Sequence, residues 1–215
     1  MNYKRFALGA LWTNGYLFYD EESRESFFID PGGNMKEVIN YLNNNNLNLK
    51  AVLLTHGHID HIAGIPEIEN LVKNNIYVGH GDAYMLRHPQ KELQELLNVH
   101  CEGVKDFQEI FDGQILNIAN YEIKIYETPG HTEGGICYLI TDHRDGRNKN
   151  ILISGDTLFA QSVGRTDLPG GDYLKLENSL KLLSKFPDGL RVLPGHGPET
   201  SIGAERELNP YWPRG

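Results

Sequence analysis

The chain has 215 residues, of which 40% are hydrophobic and 23% are charged, and its formal net charge at pH 7 is −9. This is the composition of an ordinary globular protein that is long enough to build a sizeable core. The negative charge disfavours binding to nucleic acid or to anionic membranes, because phosphate binding is driven mainly by clustered Lys and Arg.

Short apolar runs separated by turn residues predict the strands of this protein. The first two runs, at 17–19 and 27–29, predict a hairpin with residues 20–24 as its turn. The run Ala51–Leu54 is apolar throughout, which is typical of a strand buried on both faces. The remaining predicted strands lie at 76–78, around Ile115, and at 121–126, 136–140, 151–153 and 191–193.

Helical spacing of apolar residues predicts four helical stretches. Asn34 is the predicted N-cap of the first stretch, which ends near Leu42. The third stretch, residues 82–98, is interrupted by Pro89. The other stretches are 62–72, with Ile65, Ile68, Leu71 and Val72 inward, then 82–98, and 173–186, with Leu174, Leu176, Leu180, Leu183 and Phe186 inward.

The order of these elements predicts the fold class and the domain organisation. Strands alternate with helices, which indicates an α/β or α+β fold with sheets sandwiched by helices. No linker or change in composition divides the chain, so we expect a single domain over residues 1–215.

The two cysteines and the apolar runs bear on the compartment. Cys101 and Cys137 belong to no CxxC pair, which disfavours a disulfide framework or a cysteine-rich zinc site. No apolar run approaches the roughly 18–20 residues of a membrane span, and polar residues interrupt the N-terminal segment. We therefore expect a cytoplasmic protein with two free thiols.

The segment Thr55–His61 carries the strongest chemical signal, because it contains three histidines and one aspartate directly after a predicted strand. Extended backbone places His56 and His58 on the same side, with Asp60 and His61 at the turn into the next helix. Imidazole and carboxylate are the ligands that a divalent ion of the zinc type prefers. The segment therefore predicts part of a metal site.

Three further loops have the same form, in which a metal-capable side chain follows a strand and stands next to glycine. They carry His131, Asp156 and His196. A single His or Asp in this position is more often a turn residue or a helix cap. Four such loops in one chain are instead typical of one shared site.

The number of candidate ligands predicts two metal ions rather than one. Five imidazoles and two carboxylates are too many for one tetrahedral zinc ion, and they suit two ions about 3.5–4 Å apart that share a carboxylate. Such a pair lowers the pKa of a bridging water towards neutrality and polarises the bond under attack. This chemistry needs no Ser or Cys nucleophile, and the sequence has no G-x-S-x-G motif.

These residues resemble the metallo-β-lactamase superfamily, whose signature is H-x-H-x-D-H followed by separate His, Asp and His ligands. The resemblance implies an α+β fold, the αβ/βα sandwich of two mixed sheets flanked by helices. It implies two divalent ions, with zinc expected and iron or manganese as alternatives, and a bridging hydroxide that Asp60 orients as a catalytic residue. The implied ligands are His56, His58 and His131 for the first ion, Asp60, His61 and His196 for the second, and Asp156 as the bridge.

Within the superfamily, the segments 131–138, 154–159 and 164–172 resemble glyoxalase II and the short bacterial hydrolases similar to it. The resemblance implies hydrolysis of a small thioester, S-D-lactoylglutathione, to D-lactate and glutathione by a monomer or homodimer. Because few residues follow His196, we expect no counterpart of the helical C-terminal domain with which full-length glyoxalase II binds the glycine carboxylate of glutathione. Arg165 stands where the longer enzymes have Lys, and we hypothesise that it binds a substrate carboxylate. The alternative is a structural salt bridge to Asp167 or Asp172.

Other functions are compatible with parts of this pattern. A persulfide dioxygenase would bind one iron ion through His56, His131 and Asp156. A lactonase would use the same bridging hydroxide. A β-lactamase is less favoured, because the familiar zinc β-lactamases have Cys at the position of Asp156. The non-enzymatic alternative is a metal-binding scaffold, which the intact set of seven ligand positions disfavours.

Overall fold

Two six-stranded β-sheets pack face to face, and helices cover the outer face of each sheet. The computed structural model describes residues 1–73, 75–144 and 149–214. Within those residues no helix is both long and apolar enough to cross a membrane. The predicted α+β sandwich of two mixed sheets is confirmed. The single domain over residues 1–215 stays a prediction.

The first sheet is built from the N-terminal half of the chain. Its strands are β1 Asn2–Leu8, β2 Thr13–Tyr19, β3 Glu25–Ile29, β4 Asn48–Leu53, β5 Ile76–Gly79 and β6 Gln108–Ile110. They lie in sequence order. The pairs β1–β2 and β2–β3 are antiparallel, and the pairs from β3 to β6 are parallel. The carboxyl ends of β3 and β4 therefore meet at one edge of the sheet.

The second sheet is built from the C-terminal half. Its strands are β7 Ile115–Ile118, β8 Tyr121–Glu127, β9 Ile136–Asp142, β10 Lys149–Gly155, β13 Arg191–Pro194 and β14 Thr200–Ser201. Their order is β14-β13-β10-β9-β8-β7, and only β10 and β13 are parallel. A small hairpin of β11 Leu158–Phe159 and β12 Ser162–Val163 follows β10.

Seven α-helices accompany the sheets within the described residues. They are α1 Lys36–Asn44, α2 Ile59–Ile62, α3 Ile65–Val72, α4 Ala83–Arg87, α5 Lys91–Leu97, α6 Tyr173–Leu183 and α7 Ile202–Leu208. Helices α1 and α3 pack on the outer face of the first sheet, and α6 and α7 pack on that of the second.

Strand β4 shows how the layers are held together. Ala51 and Leu53 point into the core between the sheets, whereas Val52 and Leu54 point into the core beneath the helices. All four side chains are buried. The prediction of a strand buried on both faces is therefore confirmed, and the strand that precedes the richest histidine segment lies in the centre of the molecule.

The helix predicted over 62–72 is interrupted, so that part of the prediction is wrong. Helix α2 ends at Ile62 and α3 begins at Ile65. Gly64 lies between them, and glycine is needed there because a Cβ would lie 2.2 Å from the carbonyl oxygen of Gly33. Pro66, which has no backbone N–H, fits the first turn of the new helix.

Several side-chain predictions at helix surfaces are also wrong. Leu71 and Leu174 are 51% and 69% exposed, because each lies at the flank of its helix rather than on the packed face. The N-cap of α1 is Met35, one residue after Asn34, although the Asn34 Oδ1 atom accepts a hydrogen bond from the Lys36 backbone. Strands β1, β6 and β14 and helix α7 were not among the predicted elements.

Candidate metal centre

The seven candidate ligands come from loops of both sheets and meet at one edge of the sandwich. Two of the loops lie beside each other because β10 and β13 are parallel neighbours, so their carboxyl ends coincide. The ligands are His56 and His58 after β4, Asp60 and His61 in α2, His131 after β8, Asp156 after β10 and His196 after β13.

Asp156 lies between two groups of imidazoles. Its Oδ2 atom is 3.5 Å from Nε2 of His131 and 3.6 Å from Nε2 of His196. Its Oδ1 atom is 3.5 Å from Nε2 of His61. On one side of this carboxylate, Nδ1 of His58 lies 2.9 Å from Nε2 of His131. A carboxylate in this position can serve two ions at once.

The ligand-capable atoms fall into three overlapping groups, within each of which all atoms lie within 4.8 Å of one another. The middle group shares one residue with each of the others, so the groups form one continuous cluster. They are His56, His58 and His131; His56, His61 and Asp156; and Asp60, His61 and His196.

Second nitrogen atoms of the imidazoles are held by neighbouring groups, and this fixes the tautomers. His61 donates from Nδ1 to Asp30 at 2.9 Å. His131 donates from Nδ1 to the carbonyl of Arg165 at 2.7 Å, and His196 donates from Nδ1 to that of Leu11 at 3.2 Å. In each case Nε2 is the nitrogen that faces the cluster, which is the arrangement that metal-binding histidines require.

Asp30 and Thr55 extend this support to His56. The Thr55 hydroxyl donates to Asp30 at 2.7 Å, so it accepts from Nδ1 of His56, which lies 3.1 Å away. Both residues escaped the sequence analysis. Asp30 follows an apolar strand, but nothing in the local sequence links it to His61, and its positive φ of 55° is visible only in the structure.

Two buried atoms test whether metal ions fit this cluster. Nε2 of His56 and Oδ1 of Asp156 have no hydrogen-bond partner among the described residues. Leaving such a group unpaired costs about 1–3 kcal/mol, more when it is charged. A divalent ion would satisfy both atoms, and the imidazole and carboxylate donors suit zinc, iron or manganese. The residues present therefore fit two divalent ions.

The electrostatics of the cluster separate its histidines into two kinds. Burial, with the neighbouring His131, lowers the pKa of His58 to about 3, and burial also lowers the pKa of His56. Burial opposes protonation of His61 as well, but the carboxylates around it outweigh this effect and raise its pKa to about 10. Burial alone would raise the pKa of Asp60, and the adjacent histidines instead hold it below its usual range.

Arg165 lies at the rim of the site in an exposed ion pair. Its guanidinium donates two hydrogen bonds of 2.7 Å to Asp167, and the two side chains are 61% and 68% exposed. The salt bridge that was the structural alternative for Arg165 is thus observed with Asp167. Asp172 instead caps helix α6, where it accepts from two backbone N–H groups. Solvent screens an exposed pair of this kind, so Arg165 loses little by changing its partner.

Other histidines and both cysteines lie outside the cluster. His80 forms an exposed pair with Glu109 at 2.6 Å. Cys101 and Cys137 are free, as predicted, and both are buried. Burial raises the pKa of the Cys137 thiol to about 11, which makes it a poor nucleophile at neutral pH.

Fold and site together define a metal-binding αβ/βα sandwich protein. Residues 13–196 match the family described as the Metallo-beta-lactamase superfamily, and the chain belongs to this superfamily. This superfamily binds two metal ions, and membership supports a metal-dependent hydrolase. The His and Asp groups of this chain agree with that description.

Three relatives illustrate the range of similar proteins. The hydroxyacylglutathione hydrolase GloC of Haemophilus influenzae is 32% identical, and the alignment covers 98% of each chain. The crystal structure of the B3 metallo-beta-lactamase BLEG-1 is 31% identical with a TM-score of 0.86, covering 98% of this chain and 99% of that one. The di-iron-bound form of TTHA1623 is 29% identical with a TM-score of 0.84, covering 97% and 99%.

Proposed function

We propose that the protein is a binuclear metal-dependent hydrolase that cleaves thioesters of glutathione, of the S-D-lactoylglutathione type. The observation that carries this proposal is the position of Asp156, whose two oxygen atoms reach histidines on both sides of the cluster. The similarity of the whole chain to GloC supports the glutathione thioester as the substrate class.

In this proposal His56, His58 and His131 hold one ion, and Asp60, His61 and His196 hold the other, with Asp156 shared. When bound, the two ions supply an activated water and polarise the carbonyl group under attack. Zinc is the expected metal, with iron or manganese as alternatives.

Asp60 is the proposed catalytic residue. Its Oδ2 atom lies 3.3 Å from Nε2 of His196 and accepts a hydrogen bond of 3.4 Å from the Thr13 hydroxyl. Since the pKa of Asp60 is held below its usual range, the side chain is a carboxylate at neutral pH. It is therefore able to accept a hydrogen bond from the attacking water and to orient it.

A thioester suits a site in which no separate acid is assigned. A thiol has an ordinary pKa of about 8.5, so a thiolate leaves without first being protonated. An amide or an alkyl ester would need a proton donor at the leaving group.

Arg165 is the proposed binding residue for a substrate carboxylate. Its backbone carbonyl accepts from Nδ1 of His131, so its position along the loop is fixed relative to the cluster. Its guanidinium is exposed and held in a planar fork by Asp167, which is the geometry that recognises carboxylates. Glutathione carries two carboxylates, either of which satisfies this requirement.

Steady-state kinetics on S-D-lactoylglutathione tests the proposal. Arg165→Ala is expected to raise KM about 10-fold or more, since it removes a charge-assisted hydrogen bond to the substrate carboxylate. The matched control is Arg87→Ala, which removes another exposed guanidinium, here paired with Glu109. His196→Ala is expected to abolish turnover, with the exposed His100→Ala as its control. If Arg165→Ala left KM and kcat unchanged, its binding role would be dropped.

A second candidate function is β-lactam hydrolysis, which the similarity to BLEG-1 favours. The same site would attack a lactam carbonyl. Assaying a chromogenic cephalosporin and a simple lactone beside the thioester decides between these substrate classes, because the preferred class has the highest kcat/KM.

The proposal also covers the organisation of the enzyme. We propose that residues 1–215 act as one domain, in a monomer or homodimer that acts on small molecules in the cytoplasm. The free state of both cysteines supports a reducing compartment.

A further inference from the structure

Asp82 is a buried carboxylate that the proposed chemistry does not use. It ends the short 3-10 turn His80–Asp82 between β5 and α4, and its side chain is 0% exposed. Burying a carboxylate is unfavourable unless strong hydrogen bonds compensate for the lost hydration. The contacts of Asp82 therefore indicate why an acid occupies this position.

Both oxygen atoms of Asp82 accept hydrogen bonds from backbone N–H groups of the candidate metal site. The Gly57 N–H donates to Oδ2 at 2.9 Å, and the Gly134 N–H donates to Oδ1 at 2.7 Å. Gly57 lies between His56 and His58, and Gly134 lies three residues after His131. One carboxylate thus joins the two loops that carry the first group of three imidazoles.

The glycines in these loops leave no free space around Asp82. A Cβ at Gly134 would lie 2.2 Å from the backbone nitrogen of Asp82, and a Cβ at Gly81 would lie 2.7 Å from that of Gly134. A Cβ at Gly57 would lie 2.8 Å from Cβ of Met85. The turn and both loops are therefore in direct backbone contact, and the two hydrogen bonds set their separation.

Only a carboxylate can accept from both loops at once. An asparagine has one acceptor oxygen, and its NH₂ group would face the second N–H donor. Because aspartate and asparagine have nearly the same volume, the substitution Asp82→Asn tests the hydrogen bond without changing the packing. The loops also share a direct backbone hydrogen bond, from the Ile136 N–H to the Thr55 carbonyl at 2.8 Å. Asp82 is thus a further tie between the two loops, through backbone N–H groups beside the imidazoles.

We propose that Asp82 is the positioning residue of the first metal site, holding the His56–His58 loop and the His131 loop at the separation that three imidazoles around one ion require. This inference rests on the proposed metal centre. Asp82 belongs to none of the three ligand groups, so it would act through the ligands. Partners that orient metal ligands typically change affinity by about 10- to 100-fold when they are replaced.

Titration of stripped protein with Zn²⁺ against a competing chelator tests this role. The His196→Ala background removes one ligand of the second site and leaves the three imidazoles of the first site in place. In that background Asp82→Asn is expected to weaken Zn²⁺ binding about 10- to 100-fold. The control Asp20→Asn changes an equally buried carboxylate that accepts from the Ser23 backbone, and it is expected to leave binding unchanged.

The outcomes separate this inference from the proposed function. Zn²⁺ affinity within twofold of the background for Asp82→Asn, with an unchanged circular dichroism spectrum, overturns the role of Asp82 while leaving the metal centre intact. Absence of Zn²⁺ binding by the unsubstituted protein overturns the metal centre itself.

Amide hydrogen exchange on the unsubstituted, metal-free protein provides a test that needs no variant. If Asp82 holds the loops before metal binds, the Gly57 and Gly134 amides exchange slowly, as hydrogen-bonded buried amides do. Exchange of both amides at the rate of exposed loop amides would overturn the inference, even if Asp82→Asn failed to fold.

Discussion

Gly195 lies so close to the shared carboxylate that a single methyl group should disable the site. A Cβ at this position would lie 2.3 Å from Oδ1 of Asp156 and 2.8 Å from Cε1 of His61. His61 is fully buried and held by Asp30 at 2.9 Å, so it has no room to yield. The Asp156 carboxylate must therefore move by about 1 Å to reach an ordinary van der Waals distance.

Gly195→Ala should nevertheless fold. Gly195 does not have a positive φ, so alanine accepts its backbone conformation. Its two backbone hydrogen bonds, with Asn14 at 2.7 Å and Gly155 at 2.8 Å, do not involve the added methyl group. The steric conflict is with the end of a side chain, which moves more easily than backbone. The damage is thus confined to the position of Asp156.

We expect kcat/KM for S-D-lactoylglutathione to fall about 100-fold in Gly195→Ala, because a misplacement of about 1 Å at a catalytic site has an effect of that size. Metal content and the melting temperature are measured beside the kinetics. Gly189→Ala is the matched control, since a Cβ there has nothing within 4 Å. Unaltered turnover in Gly195→Ala, with two ions bound, would refute the assignment of Asp156 as the shared ligand.

Three further predictions concern the surroundings of the site and the core. Asp30→Asn removes the carboxylate that orients His61, and chelator competition should show metal affinity reduced about 10- to 100-fold. Leu53→Ala empties part of the core between the sheets, and urea denaturation should show a loss of about 2–5 kcal/mol. Burial alone would raise the pKa of Asp20, but its hydrogen bonds and the Arg144 guanidinium lower it. Asp20→Asn should therefore be less stable than the unsubstituted protein at pH 7, and the difference should shrink as the pH falls below about 4.

The sign of the pH prediction follows from where the proton binds. A carboxyl group whose pKa is lowered by folding stabilises the folded state above its unfolded pKa, and this contribution is lost as the pH falls through the folded pKa. A stability difference for Asp20→Asn that stayed constant from pH 7 to pH 3 would contradict it. The control for the core substitution Leu53→Ala is Leu96→Ala, since Leu96 is 76% exposed.

The candidate ligands were accessible to sequence reasoning because each follows a strand that is itself easy to recognise. Ala51–Leu54 is apolar at every position, and His56 lies two residues after it. His131, Asp156 and His196 each follow a predicted strand within five residues. The end of a predicted strand locates a loop, and a metal-binding side chain in that loop marks a candidate ligand.

The residues that support the ligands could not be found in this way, because their roles depend on contacts between distant parts of the chain. Asp30 reaches His61 across 31 positions, and Asp82 reaches Gly134 across 52. Neither distance in sequence has a local signature. Similarly, the interruption at Gly64 depends on the close approach of Gly33, which apolar spacing does not reveal.

The most direct test of the central claim is the metal content of protein purified without added metal, determined together with turnover. The account predicts about two metal ions per chain and hydrolysis of S-D-lactoylglutathione that is lost on chelation and restored by added metal. A single iron ion per chain, with oxygen uptake on glutathione persulfide and no thioester hydrolysis, would contradict it and would identify a dioxygenase.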